Sequence, residues 1–289
     1  MKLSRRTFFK VNAVGAAALA VTPQTVGAAS APADPNARGM LVDTTLCIGC
    51  RGCEAACAEA NNNGAVAMDG DPAVFETRRD TGPYAYTVVN RVSAPGAAEE
   101  RFVKTQCMHC LEPACASACP ARALEKTPGG PVTYNGSRCL GCRYCMVACP
   151  FEVPKFEYDR NVPYVKKCTF CAERQAQGLP PACSEVCPGG ALTFGNRAEL
   201  LEEAKKRIYQ NPGKYVPHVY GEHEAGGTSW LYITDVPFEQ MGFSTDLRTT
   251  PYPDLTKTAL SAVPVVMTLW PPLLMGLYTF FNRKEDHHA

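Results

Sequence analysis

The sequence predicts an α+β fold of two pseudo-symmetric halves, with a small inserted β region and a C-terminal transmembrane helix. Three observations predict it. All 16 cysteines fall into four quartets. Short β-like segments separate those quartets. Residues 258–282 form an uncharged stretch of 25 residues at the end of the chain.

The chain opens on Ser4-Arg5-Arg6-Thr7-Phe8-Phe9-Lys10, followed by an Ala-rich, weakly apolar run from Val11 to Val21. A twin arginine before such a run reads as a Tat export signal over residues 1–28, with small residues for cleavage at Val26-Gly27-Ala28-Ala29. Tat carries folded cargo, so cysteines bound for an oxidising compartment can arrive already metallated rather than paired as disulfides. Residues 29–38 read as an Ala/Pro-rich linker, and Gly39 to Asp43 as a strand entering the first quartet.

That quartet is Cys47, Cys50, Cys53 and Cys57, spaced C-x2-C-x2-C-x3-C. The 49 residues between Cys57 and Cys107 exceed a plain loop. Tyr84 to Val89 and Arg101 to Lys104 are strand-like within them and predict an inserted hairpin or small sheet. The second quartet is Cys107, Cys110, Cys115 and Cys119, followed by Pro120. Ala123 to Lys126 and Val132 to Tyr134 then flank Pro128-Gly129-Gly130-Pro131 as strand, turn and strand. The third quartet, Cys139, Cys142, Cys145 and Cys149, ends on Pro150. Phe151 to Lys167 predicts an extended crossing between modules. Cys168, Cys171, Cys183 and Cys187, with Pro188, complete the set.

Ala191 to Phe194 reads as a strand. Ala198 to Tyr209 follows as a helix, with Leu200, Leu201, Ala204 and Ile208 on one side and Glu202, Glu203, Lys205 and Lys206 opposite. Trp230 to Thr234 is another strand, and residues 236–257 a linker. The 258–282 stretch suffices to cross a bilayer core of about 30 Å despite Pro264, Pro271 and Pro272. Arg283 and Lys284 after it suit a cytoplasmic tail over 283–289.

The C-x2-C-x2-C-x3-C-P run holds a [4Fe-4S] cubane with its first three cysteines and lends the fourth to a second cluster. Quartets two and three are 19 residues apart and predict one two-cluster, ferredoxin-like module over about 100–150. Quartets one and four predict the other, residues 39–60 with 164–200, inside a domain spanning 39–235. The expected ligand sets are Cys47, Cys50, Cys53 and Cys187 for group 1, and Cys57, Cys168, Cys171 and Cys183 for group 2. Cys107, Cys110, Cys115 and Cys149 make group 3; Cys119, Cys139, Cys142 and Cys145 make group 4. Ala58 replaces the trailing proline in the first motif. Zinc also binds four thiolates, but structural zinc requires neither the x2-x2-x3 run nor three trailing prolines at one offset.

Charge excludes other partners. The first 28 residues contain four of the 29 basic residues and no acid, leaving 25 basic against 28 acidic residues. Such a chain offers no polyanion-binding surface, so nucleic acid is not expected. The sequence contains no Gly-rich phosphate loop, Ser-His-Asp arrangement or catalytic zinc motif, so no catalytic residue is assigned. His109, between Cys107 and Cys110, could tune a potential by hydrogen bonding but reads first as a packed loop residue, because the ligand set is already full. Lys104, Arg143, Lys166 and Lys167 flank the cysteines and read equally as cations that raise cluster potentials or as solvated surface. His218, His223, His287 and His288 carry no metal assignment.

Beyond the quartets, Gln106-Cys-Met-His-Cys110, Cys142-Arg-Tyr-Cys-Met-Val-Ala-Cys-Pro150, Val153-Pro-Lys-Phe156, Phe194 to Leu200, Ala204 to Arg207 and Pro217-His-Val-Tyr-Gly-Glu222 carry a resemblance over nearly the whole chain. The chain resembles the membrane-anchored iron–sulfur subunits of hydrogenase-2-type nickel–iron hydrogenases. These sit in a wider family with formate dehydrogenase β-subunits and the electron-transfer subunits of DMSO and nitrate reductases. The resemblance implies four [4Fe-4S] clusters passing electrons from a periplasmic catalytic partner, expected to be hydrogenase large and small subunits, to a quinone-reactive membrane subunit. The alternatives are a subunit serving a molybdenum or tungsten oxidoreductase such as formate dehydrogenase, a free-standing membrane-tethered polyferredoxin, and a structural zinc protein.

Overall fold

The central sheet has the order β8-β1-β9, built by β1 (Arg38–Asp43), β8 (Leu192–Asn196) and β9 (Trp230–Ile233). The computed structural model describes Asp34 and residues 37–68, 70–93 and 100–282. The expected export signal, most of the first linker, and the 283–289 tail with His287 and His288 lie outside the described residues.

β1 pairs antiparallel with β8 and parallel with β9, Met40 opposite Phe194 on one side and Trp230 on the other. Alternation along β1 sorts its side chains between two layers. Met40 and Val42 pack with Trp230, Tyr232 and Phe170 on the face toward the cysteines. Leu41 packs with Leu231, Ile233, Leu200 and Ala204 on the opposite face. β9 is fully buried along its length, which explains why Trp-Leu-Tyr-Ile lacks a polar alternation.

The other elements are short. They are α1 (Gly52–Ala60), β2 (Thr87–Val92), β3 (Arg101–Gln106), α2 (Ala114–Ser117), β4 (Leu124–Lys126), β5 (Val132–Tyr134), α3 (Tyr144–Ala148), β6 (Lys155–Phe156), β7 (Val165–Lys166), α4 (Ala172–Ala176) and α5 (Ala182–Glu185). The expected amphipathic helix is α6 (Arg197–Gln210), started by Asn196, whose side chain accepts from Ala198 N–H at 2.8 Å. β2 and β3 form the inserted hairpin, and β4 and β5 the expected strand-turn-strand unit. The 151–167 segment departs from the expected plain crossing. Lys155 and Phe156 pair back onto Lys166 and Val165. Buried Glu157 closes the turn by accepting from the Tyr164 N–H at 3.1 Å.

The trailing prolines decide helix length. α2, α3 and α5 stop before Pro120, Pro150 and Pro188, because the residue preceding a proline is driven out of the helical region. Cys149 is extended as a result, with φ −80° and ψ 115°. In the first motif Ala58 imposes no such stop, and α1 continues past Cys57 to Ala60.

The terminal helix, α7 (Tyr252–Asn282), contains all three expected prolines. It is the one helix among the described residues long and apolar enough to cross a membrane.

Candidate metal centre

The first and third cysteine runs share one backbone. Asp43 and Asn135 accept side-chain hydrogen bonds from Thr45 N–H and Ser137 N–H, each opening a single 3-10 turn. Gly49 and Gly141 follow at φ 70° and 69°, and Arg51 and Arg143 at φ 58° and 60°. A helix then begins at Gly52 or Tyr144. The second and fourth runs share a different start, in which Pro113 or Pro181 immediately precedes the helix carrying the third cysteine. These left-handed positions wrap each C-x2-C-x2-C loop around a common centre.

The loops gather cysteines across the sequence. Cys47, Cys50, Cys53 and Cys187 line one cavity, with Val42, Val89 and Lys104 among its walls. Cys119, Cys139, Cys142 and Cys145 line another, walled by Leu124, Tyr134 and Val165. In the interior, the Cys57 thiol is acted on by Cys183 and Cys171, and Cys168 by Cys57. Cys110 is acted on by Cys149, Cys107 and Cys115. Two of the four expected sets thus each line a cavity of their own, and in the interior Cys57 and Cys168 pack with Cys107 and Cys149.

These groups form a succession. Cys53 packs against the core cluster that contains Cys183. Side-chain packing continues from there: Cys57 and Cys168 share a core cluster with Cys107 and Cys149, and Cys115 shares one with Cys145, Cys119 and Cys139. The end groups reach the surface through exposed Cys50 and Cys142, while Cys57, Cys107, Cys115, Cys168 and Cys183 are buried.

The donor set fits iron–sulfur clusters. Burial pushes the thiols of Cys53 and Cys57 up to about 12, and those of Cys145 and Cys149 up to about 11. Thiolates this deep require a cationic partner, which cluster iron supplies. Backbone N–H groups already point at sulfur: Ala123 donates to Cys119 at 3.2 Å, and Gly141 to Cys139 and Phe170 to Cys168 at 3.4 Å each. Among the described residues no three His, Cys, Asp or Glu side chains converge tightly enough to hold a single metal ion. Four thiols around a cavity suit a cube better than one zinc atom.

The flanking cations differ in position. Arg143 is exposed and stacks 5.6 Å from the Phe156 ring and 5.7 Å from Tyr158. Lys166 pairs with Glu157 at 3.6 Å. Lys104 and Lys167 are buried. Burial alone would lower the Lys104 ammonium, but Cys183, Cys53, Tyr232 and Cys168 outweigh it and raise it. His109 is fully buried, stacks on Phe170 at 5.1 Å, and accepts from Val132 N–H at Nδ1. Burial and then the Lys167 and Lys126 charges hold its pKa well below the usual imidazole range, so it packs as a neutral ring. His218 is held by Glu224 at 2.6 Å. Sequence reasoning missed Asn61, whose amide donates to the Cys57 carbonyl at 2.8 Å and lies 3.7 Å from its sulfur. It also missed Lys126, whose Nζ donates to His109 O, Gly130 O and Ser229 Oγ. Neither lies in a cysteine motif, so neither left a spacing signal.

Residues 98–197 match the 4Fe-4S dicluster domain family. The chain is 35% identical to the Hydrogenase-2 operon protein HybA of Escherichia coli O157:H7, over 99% of this chain and 98% of that one. It is 34% identical to the nitrate-inducible formate dehydrogenase iron-sulfur subunit of Escherichia coli K12, over 86% of this chain and 89% of that one. A protein of Nitratidesulfovibrio vulgaris Hildenborough is 50% identical over 98% of this chain and 78% of its own.

Proposed function

The chain belongs to the family of iron–sulfur subunits of hydrogenase-2 and formate dehydrogenase type, non-catalytic electron carriers with [4Fe-4S] clusters, and on that premise we propose that it is a four-cluster relay. We assign Cys47, Cys50, Cys53 and Cys187 to cluster 1, and Cys57, Cys168, Cys171 and Cys183 to cluster 2. Cys107, Cys110, Cys115 and Cys149 hold cluster 3; Cys119, Cys139, Cys142 and Cys145 hold cluster 4. Each cluster, when bound, accepts and returns one electron. The protein's own residues set spacing, exclude water and donate hydrogen bonds to sulfur.

The succession of packed cysteines from the side of exposed Cys50 to that of exposed Cys142 supports this reading. It gives electrons an entry and an exit, with buried groups between. The matched turns at Asp43 and Asn135 support two pseudo-symmetric modules within 39–235.

The catalytic partner we assign is a hydrogenase, on the near-complete overlap with the hydrogenase-2 relative. The acceptor is a quinone-reactive membrane subunit. The apolar length of α7 supports an anchor over 258–282, and the Ser4-Arg5-Arg6 motif supports Tat export, placing the clusters in the periplasm and residues 283–289 in the cytoplasm. The formate dehydrogenase relative supports a second reading, service to a molybdenum or tungsten oxidoreductase.

Purification from native membranes in mild detergent, with metals and activity assayed together, tests both. Four cubanes give about 16 iron per chain. That iron with nickel and hydrogen-dependent quinone reduction establishes the hydrogenase relay. Molybdenum or tungsten with formate-dependent activity moves the chain to the second reading, and iron near four or fewer per chain sinks the four-cluster assignment.

A further inference from the structure

Lys104 stands on β3, three residues before the second cysteine run, with only 3% of its surface exposed. Its Nζ donates one hydrogen bond, to Gln106 Oε1 at 2.9 Å. The same nitrogen lies 4.5 Å from the centroid of the Trp230 indole. Neither partner is an anion, and no ion pair joins this ammonium to a carboxylate among the described residues. An ammonium has three donors, and a buried charge without a counter-charge is strongly unfavourable.

Two neighbouring lysines, half-buried Lys126 and buried Lys167, are built differently. Lys126 has three acceptors, His109 O at 3.0 Å, Gly130 O at 2.6 Å and Ser229 Oγ at 3.3 Å. Lys167 has two carbonyls, of Val132 at 2.5 Å and Cys168 at 3.1 Å. Each of those cations has backbone oxygen to hold. Lys104 instead lines the cavity of Cys47, Cys50, Cys53 and Cys187, and Cys183 and Cys168 of the next group also act on it. The indole face and the amide fix the side chain, so its charge cannot swing away to solvent.

We propose that Lys104 is the internal counter-ion of the first two clusters, a positioning residue that raises the potential at which they accept an electron. The inference rests on the four-cluster assignment. Four thiolates around a cubane leave net negative charge, and each electron accepted adds one more. A fixed positive charge beside the site, in a medium of low dielectric, favours the more negative state. No bond is made or broken and no proton has to move. The electron comes from the catalytic partner and leaves to the next group.

An EPR-monitored redox titration of the detergent-solubilised complex would compare the natural protein with Lys104→Met and Lys104→Arg. With iron retained, Lys104→Met should lower the potential of at least one cluster. The expected change is at least tenfold in the oxidised-to-reduced ratio at fixed potential, about 59 mV for one electron. Lys104→Arg, which keeps the charge, should stay near the natural value. Unchanged potentials in a fully loaded Lys104→Met protein would overturn the proposal. If that variant loses iron, the arginine variant decides. Iron held at natural potentials supports the charge role, whereas the same iron loss shows that lysine acts by shape alone. Absence of cubane signals from the natural protein would instead fail the four-cluster assignment itself.

Discussion

Glu54, inside the first cysteine run, accepts a 2.6 Å hydrogen bond from Arg79 in the inserted segment. The Val89 N–H of β2 donates to the same oxygen at 2.5 Å, and Arg51 pairs with the other oxygen at 3.0 Å. One buried carboxylate thus ties the C-x2-C-x2-C loop to the β2–β3 hairpin that carries Lys104. Glu54→Ala removes this acceptor from two guanidinium groups, Arg51 and Arg79, and from a buried N–H. Charge-assisted hydrogen bonds contribute about 1.5–3 kcal/mol each, and Arg79 retains some access to water. We expect a loss of about 2–4 kcal/mol. It should appear as a lower guanidinium midpoint for release of iron from the first group, and an unchanged midpoint would show that Arg79 and Val89 find other partners.

Gly49 and Gly141 occupy equivalent turns but should respond differently to alanine. Both have positive φ, 70° and 69°, which costs an L-residue about 1–2 kcal/mol. A Cβ on Gly49 would also meet Phe102 ring carbons at 2.6 Å, whereas the nearest atom for Gly141 is Phe156 Cζ at 4.0 Å. Gly49→Ala should therefore lose iron at clearly lower temperature than Gly141→Ala. Equal midpoints would mean that Phe102 moves aside at little cost.

This asymmetry marks the limit of what the sequence discloses. The repeat Cys47-Ile-Gly-Cys-Arg against Cys139-Leu-Gly-Cys-Arg is legible because spacing fixes a loop's own backbone. The strands around the quartets, the inserted hairpin and α6 are legible for the same local reason. What packs on a loop comes from far away, as Phe102 does on Gly49. Short-range pattern also missed the β6–β7 pairing, which spans two residues a side and depends on buried Glu157. Of four cations near the cysteines, sequence could not separate buried Lys104 and Lys167 from exposed Arg143, because burial is set by the packing of distant strands. Trp230 under the Lys104 ammonium lies more than a hundred residues away in the chain.

Acid should weaken the seam between the hairpin and the central sheet. Arg101 Nη2 on β3 donates to Asp235 at 2.6 Å, just beyond β9. The hydrogen bond from Arg101 holds the Asp235 carboxyl below its usual range. A carboxyl depressed in the folded state contributes stability that is present above its unfolded pKa, about 3.9, and is lost as pH falls below it through the folded value. Asp235→Asn should remove that part of the acid sensitivity. The measurement is the pH dependence of unfolding between about pH 5 and 2, for the natural protein and the variant. Identical slopes would show that the pair is too well solvated to matter.

The exchange of fourth cysteines between runs can be read by counting iron in paired variants. Cys145 shares its cavity with Cys119, Cys139 and Cys142, whereas Cys149, four residues on, packs with Cys107, Cys57 and Cys168. A serine hydroxyl is a far poorer iron ligand than a thiolate, so Cys145→Ser should destabilise one cube and release about four iron. Adding Cys119→Ser strikes the same cube and should release no more. Adding Cys149→Ser strikes the neighbouring cube and should bring the loss to about eight. If each run instead held its own cube, Cys149 would belong with Cys145 and Cys119 would not, and the two double variants would exchange results. The comparison is internal to one chain and needs no catalytic partner. It therefore reports on ligand assignment independently of whichever enzyme the relay serves.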